Sequence, residues 1–150
     1  MYTLDKRKEV FFMDMNLILN TNMSKTNFLK GLIRVAKSDG VLDEREISFY
    51  NQVAVSMGLT NEEKMTIKDA WQTDTKITLK FDNSEQKIFF FIQAIQLCWM
   101  DESYTERERL EIRKLAEELG VSENAIIKIE DWALEGIQWN KKADNLLALR

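Results

Sequence analysis

Asp39-Gly40-Val41-Leu42-Asp43-Glu44-Arg45-Glu46 decides the fold, because the chain runs Asp101-Glu102-Ser103-Tyr104-Thr105-Glu106-Arg107-Glu108 at an offset of 62 residues. Each string reads as the end of one helix, a turn and the start of the next. Asp43 precedes Glu46 by three, and Thr105 precedes Glu108 by three. That is the capping-box spacing, in which a short polar side chain accepts from the N3 amide while the N3 carboxylate reaches back. Working outward, Phe28 to Trp71 aligns without a gap on Phe90 to Ala133 at the same offset, which brings Gly58 onto Gly120 and Arg45 onto Arg107. A repeated three-helix unit follows.

The helices are legible from apolar spacing. Phe28, Leu29, Leu32, Ile33 and Ala36 form a stripe that stops before Asp39-Gly40, and Ile47, Tyr50, Ala54 and Met57 form one that ends at Gly58. Thr60 with Glu63 starts a third helix, expected over roughly 60–73, with Met65, Ile67, Ala70 and Trp71 as its apolar set. Over 73–83 the helical period is lost and Ile77, Leu79 and Phe81 alternate, as in an extended connector with no partner strand. Ser84 is placed to cap a helix that is apolar on nearly every side from Ile88 to Leu97, hence central. Thr105 opens a helix with Leu110, Ile112, Leu115, Ala116 and Leu119 inward, and Ser122 opens one carrying Ala125, Ile126, Ile129, Trp132 and Ala133. A short terminal helix is expected from Asn140 to Leu149, and an amphipathic one over Val10 to Leu19. Without any proline, little stops these helices internally. The expected fold is all-α: a bundle of about seven or eight helices in one domain spanning 1–150, with halves of about 28–72 and 90–134 and a connector over 73–83.

Composition narrows the function. A formal net charge of −4 argues against a nucleic-acid partner, and residues 101–135 hold eleven acidic against five basic side chains, which draws cations to that half. With no His and one Cys, His-centred triads and zinc, copper or iron–sulfur sites are excluded, so any bound metal is a hard cation held by oxygens. Cys98, within Ile95-Gln96-Leu97-Cys98-Trp99, reads as a buried thiol. The run after Lys6-Arg7-Lys8 is broken by Asp14 and Asn16 and is no signal peptide. No stretch reaches the length needed to span a bilayer, so a cytoplasmic protein without a membrane partner is expected.

The first acidic string is similar to the second half of an EF-hand loop, with Glu46 at the bidentate twelfth place. The first and third places then fall on Val35 and Lys37, which excludes a standard EF-hand. Asp43 and Glu46 also serve as cap residues, where the helix dipole favours them without any metal. Trp71 and Trp132 are expected in the core. Trp139 lies beyond the repeat, an exposed contact residue for a partner. Arg107, Arg109 and Arg113, alternating with Glu106, Glu108 and Glu111, read as a solvated helix face.

A helix ending in Asp39-Gly40, the Asp43-to-Glu46 start and a following helix closed by Met57-Gly58-Leu59 together resemble the TerB-like (tellurite-resistance protein B) helical family, over about Phe28 to Gly136. The resemblance implies a bacterial, cytoplasmic, all-helical domain linked to chemical stress and metal binding. By position it carries a metal role to Asp39, Asp43 and Glu46, and in the second copy to Asp101 and Glu108. Thr105 in place of a second Asp, and the missing glycine after Asp101, depart from a paired two-site arrangement. Two functions stand open. One is a non-enzymatic, stress-associated domain binding Ca²⁺, Mg²⁺ or Mn²⁺ through its acidic turns; the other is a helical protein–protein interaction or homo-oligomerisation module without metal.

Overall fold

The computed structural model describes residues 15–40, 42–73, 76–100 and 103–149. Seven α-helices and no strand occur among them: α1 (Met15–Ile18), α2 (Asn22–Lys37), α3 (Glu44–Ser56), α4 (Asn61–Gln72), α5 (Ser84–Met100), α6 (Glu106–Leu119) and α7 (Glu123–Leu147). The chain is therefore all-α, and no described helix is long and apolar enough to cross a membrane. The first half of the N-terminal helix expected over Val10 to Leu19 lies outside the described residues; Met15–Ile18 of the second half are helical as α1.

The starts are set by the expected caps. Asp43, Thr60 and Thr105 each accept from the amide three residues on, and Glu46, Glu63 and Glu108 return the bond. A fourth box, Thr21 with Ser24, opens α2. Ser122 caps α7 by accepting from the Ala125 amide. At α5 the expectation is corrected. Asn83, not Ser84, accepts from the Gln86 amide at 2.9 Å, and Ser84 is already helical. The side-chain amide reaches the N3 donor one residue earlier than the hydroxyl was placed to do. Gly120 ends α6 in the left-handed conformation at φ 74°, and the Val121 amide bonds back to the Ala116 carbonyl, a Schellman-type closure that a side chain would strain.

Packing centres on α5, which touches α1, α2, α6 and α7, while α2 also packs on α3, α4 and α6. Phe89, Phe90, Phe91, Ala94, Ile95 and Cys98 of α5 are buried, as its all-round apolar sequence implies. Phe90 sits in an aromatic cluster, with ring centroids 6.2 Å from Phe28, 5.7 Å from Phe81 and 5.0 Å from Phe91. α2 approaches this cluster through Gly31. A Cβ there would lie 2.7 Å from Phe90 Cζ, closer still to Cε1, and 2.8 Å from Leu79 Cδ1.

The connector has no strand, yet its alternation is real: Ile77 and Phe81 are buried and Leu79 packs on the core. Its backbone polar groups turn to α2, where Arg34 donates to the Ile77 carbonyl and Asn27 accepts from the Lys80 amide. Lys37 donates to the Thr73 carbonyl at the head of this segment. Leu32, Ile33, Ala54, Ile95, Leu115 and Ile129 are buried as expected, and Ile92 is half-buried.

Further expectations are overturned. Met65 is 65% exposed, because α4 buries Ile67 and Ala70. Leu110 is 54% exposed and Trp132 50% exposed, because the core faces of their helices are centred on Ile112, Leu115 and Leu119, and on Ile126, Ile129 and Ala133. Trp71 is half-buried against the core. The separate terminal helix does not exist: α7 is a single helix of 25 residues, since no glycine conformation or proline interrupts it. Trp139 is 68% exposed, as expected.

Candidate functional site

The acidic turn after α2 meets the start of α6. Asp39, exposed just past the α2 C-cap, accepts from the Thr105 hydroxyl at 2.8 Å and 2.9 Å on its two carboxylate oxygens. The same hydroxyl oxygen accepts from the Glu108 amide at 3.1 Å, so one N-cap side chain ties the two segments together. Asp43 accepts from the Glu46 amide at 2.8 Å and Glu46 accepts from the Asp43 amide at 3.3 Å. Glu108 accepts from the Thr105 amide at 2.9 Å.

Four of the five carboxylates expected to bind metal share a cleft of about 940 Å³, lined by Asp39, Asp43, Glu46 and Glu108 together with Tyr50 and Leu97. Beneath it is a cavity of about 30 Å³ with Glu46 and Glu108 in its wall above Leu32, Leu97 and Cys98. The fifth carboxylate, Asp101, lies outside the described residues. Burial pushes the Glu108 carboxyl above its ordinary range and the Asp39 charge adds to this, outweighing the Thr105 amide and Cys98 thiol bonds that favour ionisation. Among the described residues no group of three or more His, Cys, Asp or Glu side chains is arranged to hold a metal ion. The carboxylates share a wall; their oxygens do not converge on a point.

Two further polar clusters escaped the sequence reading. Arg34 of α2 donates to Glu111 at 2.7 Å and to Glu118 at 2.5 Å. Arg113 grips Glu130 through both carboxylate oxygens, Tyr104 donates to Glu130 at 2.7 Å, and Arg109 donates at 3.2 Å while stacking 4.4 Å above the Tyr104 ring. Burial alone raises the Glu130 carboxyl, but the hydrogen bonds from Arg113 and Tyr104 and the two guanidinium charges outweigh it and hold it below the ordinary range. Burial, with the same contact to Glu130, pushes the Tyr104 hydroxyl far up. The Arg/Glu alternation of α6 is therefore a solvated face only in part: Glu106 and Arg107 are exposed, whereas Arg109 and Arg113 turn to α7, and Glu111 to α2. One signal was in the sequence. Glu130 falls among Ile126, Ile129 and Ala133 on the apolar stripe, and a carboxylate at a core position requires partners.

No family model matches the chain, and no curated protein or solved structure matches it.

Proposed function

We propose that the chain is a non-enzymatic, TerB-like helical domain of the bacterial stress-associated kind, built from two related three-helix units, whose acidic cleft takes a hard divalent cation. One observation carries the reading: Asp39, Asp43 and Glu46 of the first turn line one cleft with Glu108 of the second, and Glu46 and Glu108 are equivalent at the 62-residue offset. Burial, with the Asp39 charge adding to it, resists ionisation of Glu108; a divalent cation in the cleft relieves the second of these costs and favours the ionised carboxyl.

The pre-existing bonds limit the affinity. Asp43 and Glu46 cap α3, and Asp39 holds Thr105, so each offers only its remaining lone pairs. A cation here keeps most of its water and is bound weakly, as suits Mg²⁺, Mn²⁺ or Ca²⁺ rather than a soft metal. The α2 C-terminus, with its outward carbonyls, favours the positive charge, whereas the start of α3 does not.

Thermal melts with and without Ca²⁺ or Mn²⁺ in the millimolar range test this. Wild type should melt higher with the cation. Asp39→Asn keeps an acceptor for Thr105 and should lose most of the cation-induced shift at little cost to the metal-free protein. Asp43→Ala should lower metal-free stability by about 0.5–2 kcal/mol through the lost cap. A wild-type melting temperature indifferent to both cations would leave these carboxylates as caps alone.

A further inference from the structure

The last half of α7 presents a face that the described residues leave uncovered. Past Ala133 the helix continues for roughly 20 Å, and none of residues 134–147 is buried. Trp132, Trp139 and Leu146, spaced by seven, are 50%, 68% and 66% exposed. Gly136 and Ala143 fall between them, so one face presents large and small residues alternately at the 3.5-residue period of a two-helix seam. Gly136 is the informative member. Among the described residues a Cβ built there meets nothing within 4 Å, so they impose no steric need for a residue that weakens a helix interior.

We infer that this face pairs antiparallel with the same face of a second copy of the chain, Trp139 packing on the partner's Gly136 and Trp132 on the partner's Ala143. Both layers then repeat by symmetry, as an isologous interface requires. The glycine gives the indole its space. A parallel pair instead sets Trp139 on Trp139 and Gly136 on Gly136, large on large and small on small. Charge selects the same arrangement. Glu135 and Lys142 are exposed and occupy the same flank of the seam, seven residues apart, too far along one helix to meet within a chain. In the antiparallel register Glu135 lies opposite the partner's Lys142, twice over. This self-complementarity of size and charge argues for a second copy as occupant rather than an unrelated protein, and it is independent of the acidic cleft.

The test is the mass of the full-length chain by sedimentation equilibrium from about 1 to 100 µM. The expected mass rises from 17.7 kDa toward twice that value. Glu135→Lys should weaken the dimer by at least about tenfold, and adding Lys142→Glu should recover most of that loss, since the reversed pair is again complementary. Gly136→Leu fills the indole's space and should abolish the dimer while circular dichroism of dilute protein stays helical. A monomer throughout the range overturns the inference, whether another protein or residues 1–14 occupy the seam. A dimer indifferent to Gly136→Leu, or one that the double charge variant fails to restore, overturns it equally.

Discussion

Gly31 and Gly136 both sit inside long helices, and they are there for opposite reasons. At Gly31 of α2 the neighbours are already present: the Phe90 ring and Leu79 occupy the space a Cβ would take. At Gly136 of α7 nothing among the described residues lies within reach. A mid-helix glycine is costly relative to alanine in both places. In α2 the cost is offset by close packing within the chain; in α7 the offset has to come from elsewhere. The same division runs within α7 itself, whose first half carries buried Ile126, Ile129, Glu130 and Ala133 and whose second half buries nothing.

The largest expected effect sharpens the division within α7. Glu130→Ala leaves Arg113, Arg109 and Tyr104 without their shared acceptor and should destabilise the fold by about 3–5 kcal/mol in urea unfolding. Because the Glu130 carboxyl is held below its ordinary range in the folded chain, its contribution is present above the unfolded pKa and is lost as pH falls through the folded one. Acidification below about pH 4 should therefore narrow the gap between wild type and variant. A gap independent of pH would mean that Glu130 acts by packing rather than charge.

Gly31→Ala comes next, with a loss of about 1–3 kcal/mol as Phe90 and Leu79 are pushed apart. The loss should shrink when Phe90→Leu is made first, and the double-mutant cycle measures that coupling. Equal losses in both backgrounds would break the packing account of this glycine. The smallest effect has the opposite sign. In dilute protein, Gly136→Ala should gain about 0.5–1 kcal/mol in thermal or urea unfolding, because the new methyl group meets only solvent and the helix gains propensity. A loss there would show that Gly136 already has a neighbour within the chain.

Much of the architecture was readable because it is written in local code. Capping boxes at Asp43, Thr60 and Thr105 need only a three-residue spacing, and the left-handed ends at Gly58 and Gly120 need only a glycine. The buried alternation of Ile77, Leu79 and Phe81 was equally plain, though its backbone partners, side chains of α2, were not. What failed depended on how wide each buried face would be. Leu110 and Trp132 sit at the margins of their stripes, and only the placement of neighbouring helices decides that they stay wet. The candidate cleft divides likewise: its residues could be named from the turn motif, whereas the bond from Thr105 to Asp39 joins positions 66 apart. In the sequence Thr105 looks like a departure from the first copy's Asp43. In the fold its hydroxyl is the donor that a second aspartate could not supply to Asp39.

Cys98 gives this molecule a clock. It is the chain's sole cysteine, 5% exposed on α5, with its thiol hydrogen-bonded to Glu108 beneath the acidic cleft. A thiol reagent reaches it when the residues of α2, α3 and α6 around it, among them Leu32, Tyr50 and Glu108, part from α5. Its labelling rate, set against that of the unfolded chain, therefore counts openings of that junction and converts them into a local free energy. No engineered label is needed. Followed in the presence of a divalent cation or at rising protein concentration, the same sulfur distinguishes an event that closes the cleft from one that only joins the far ends of two helices.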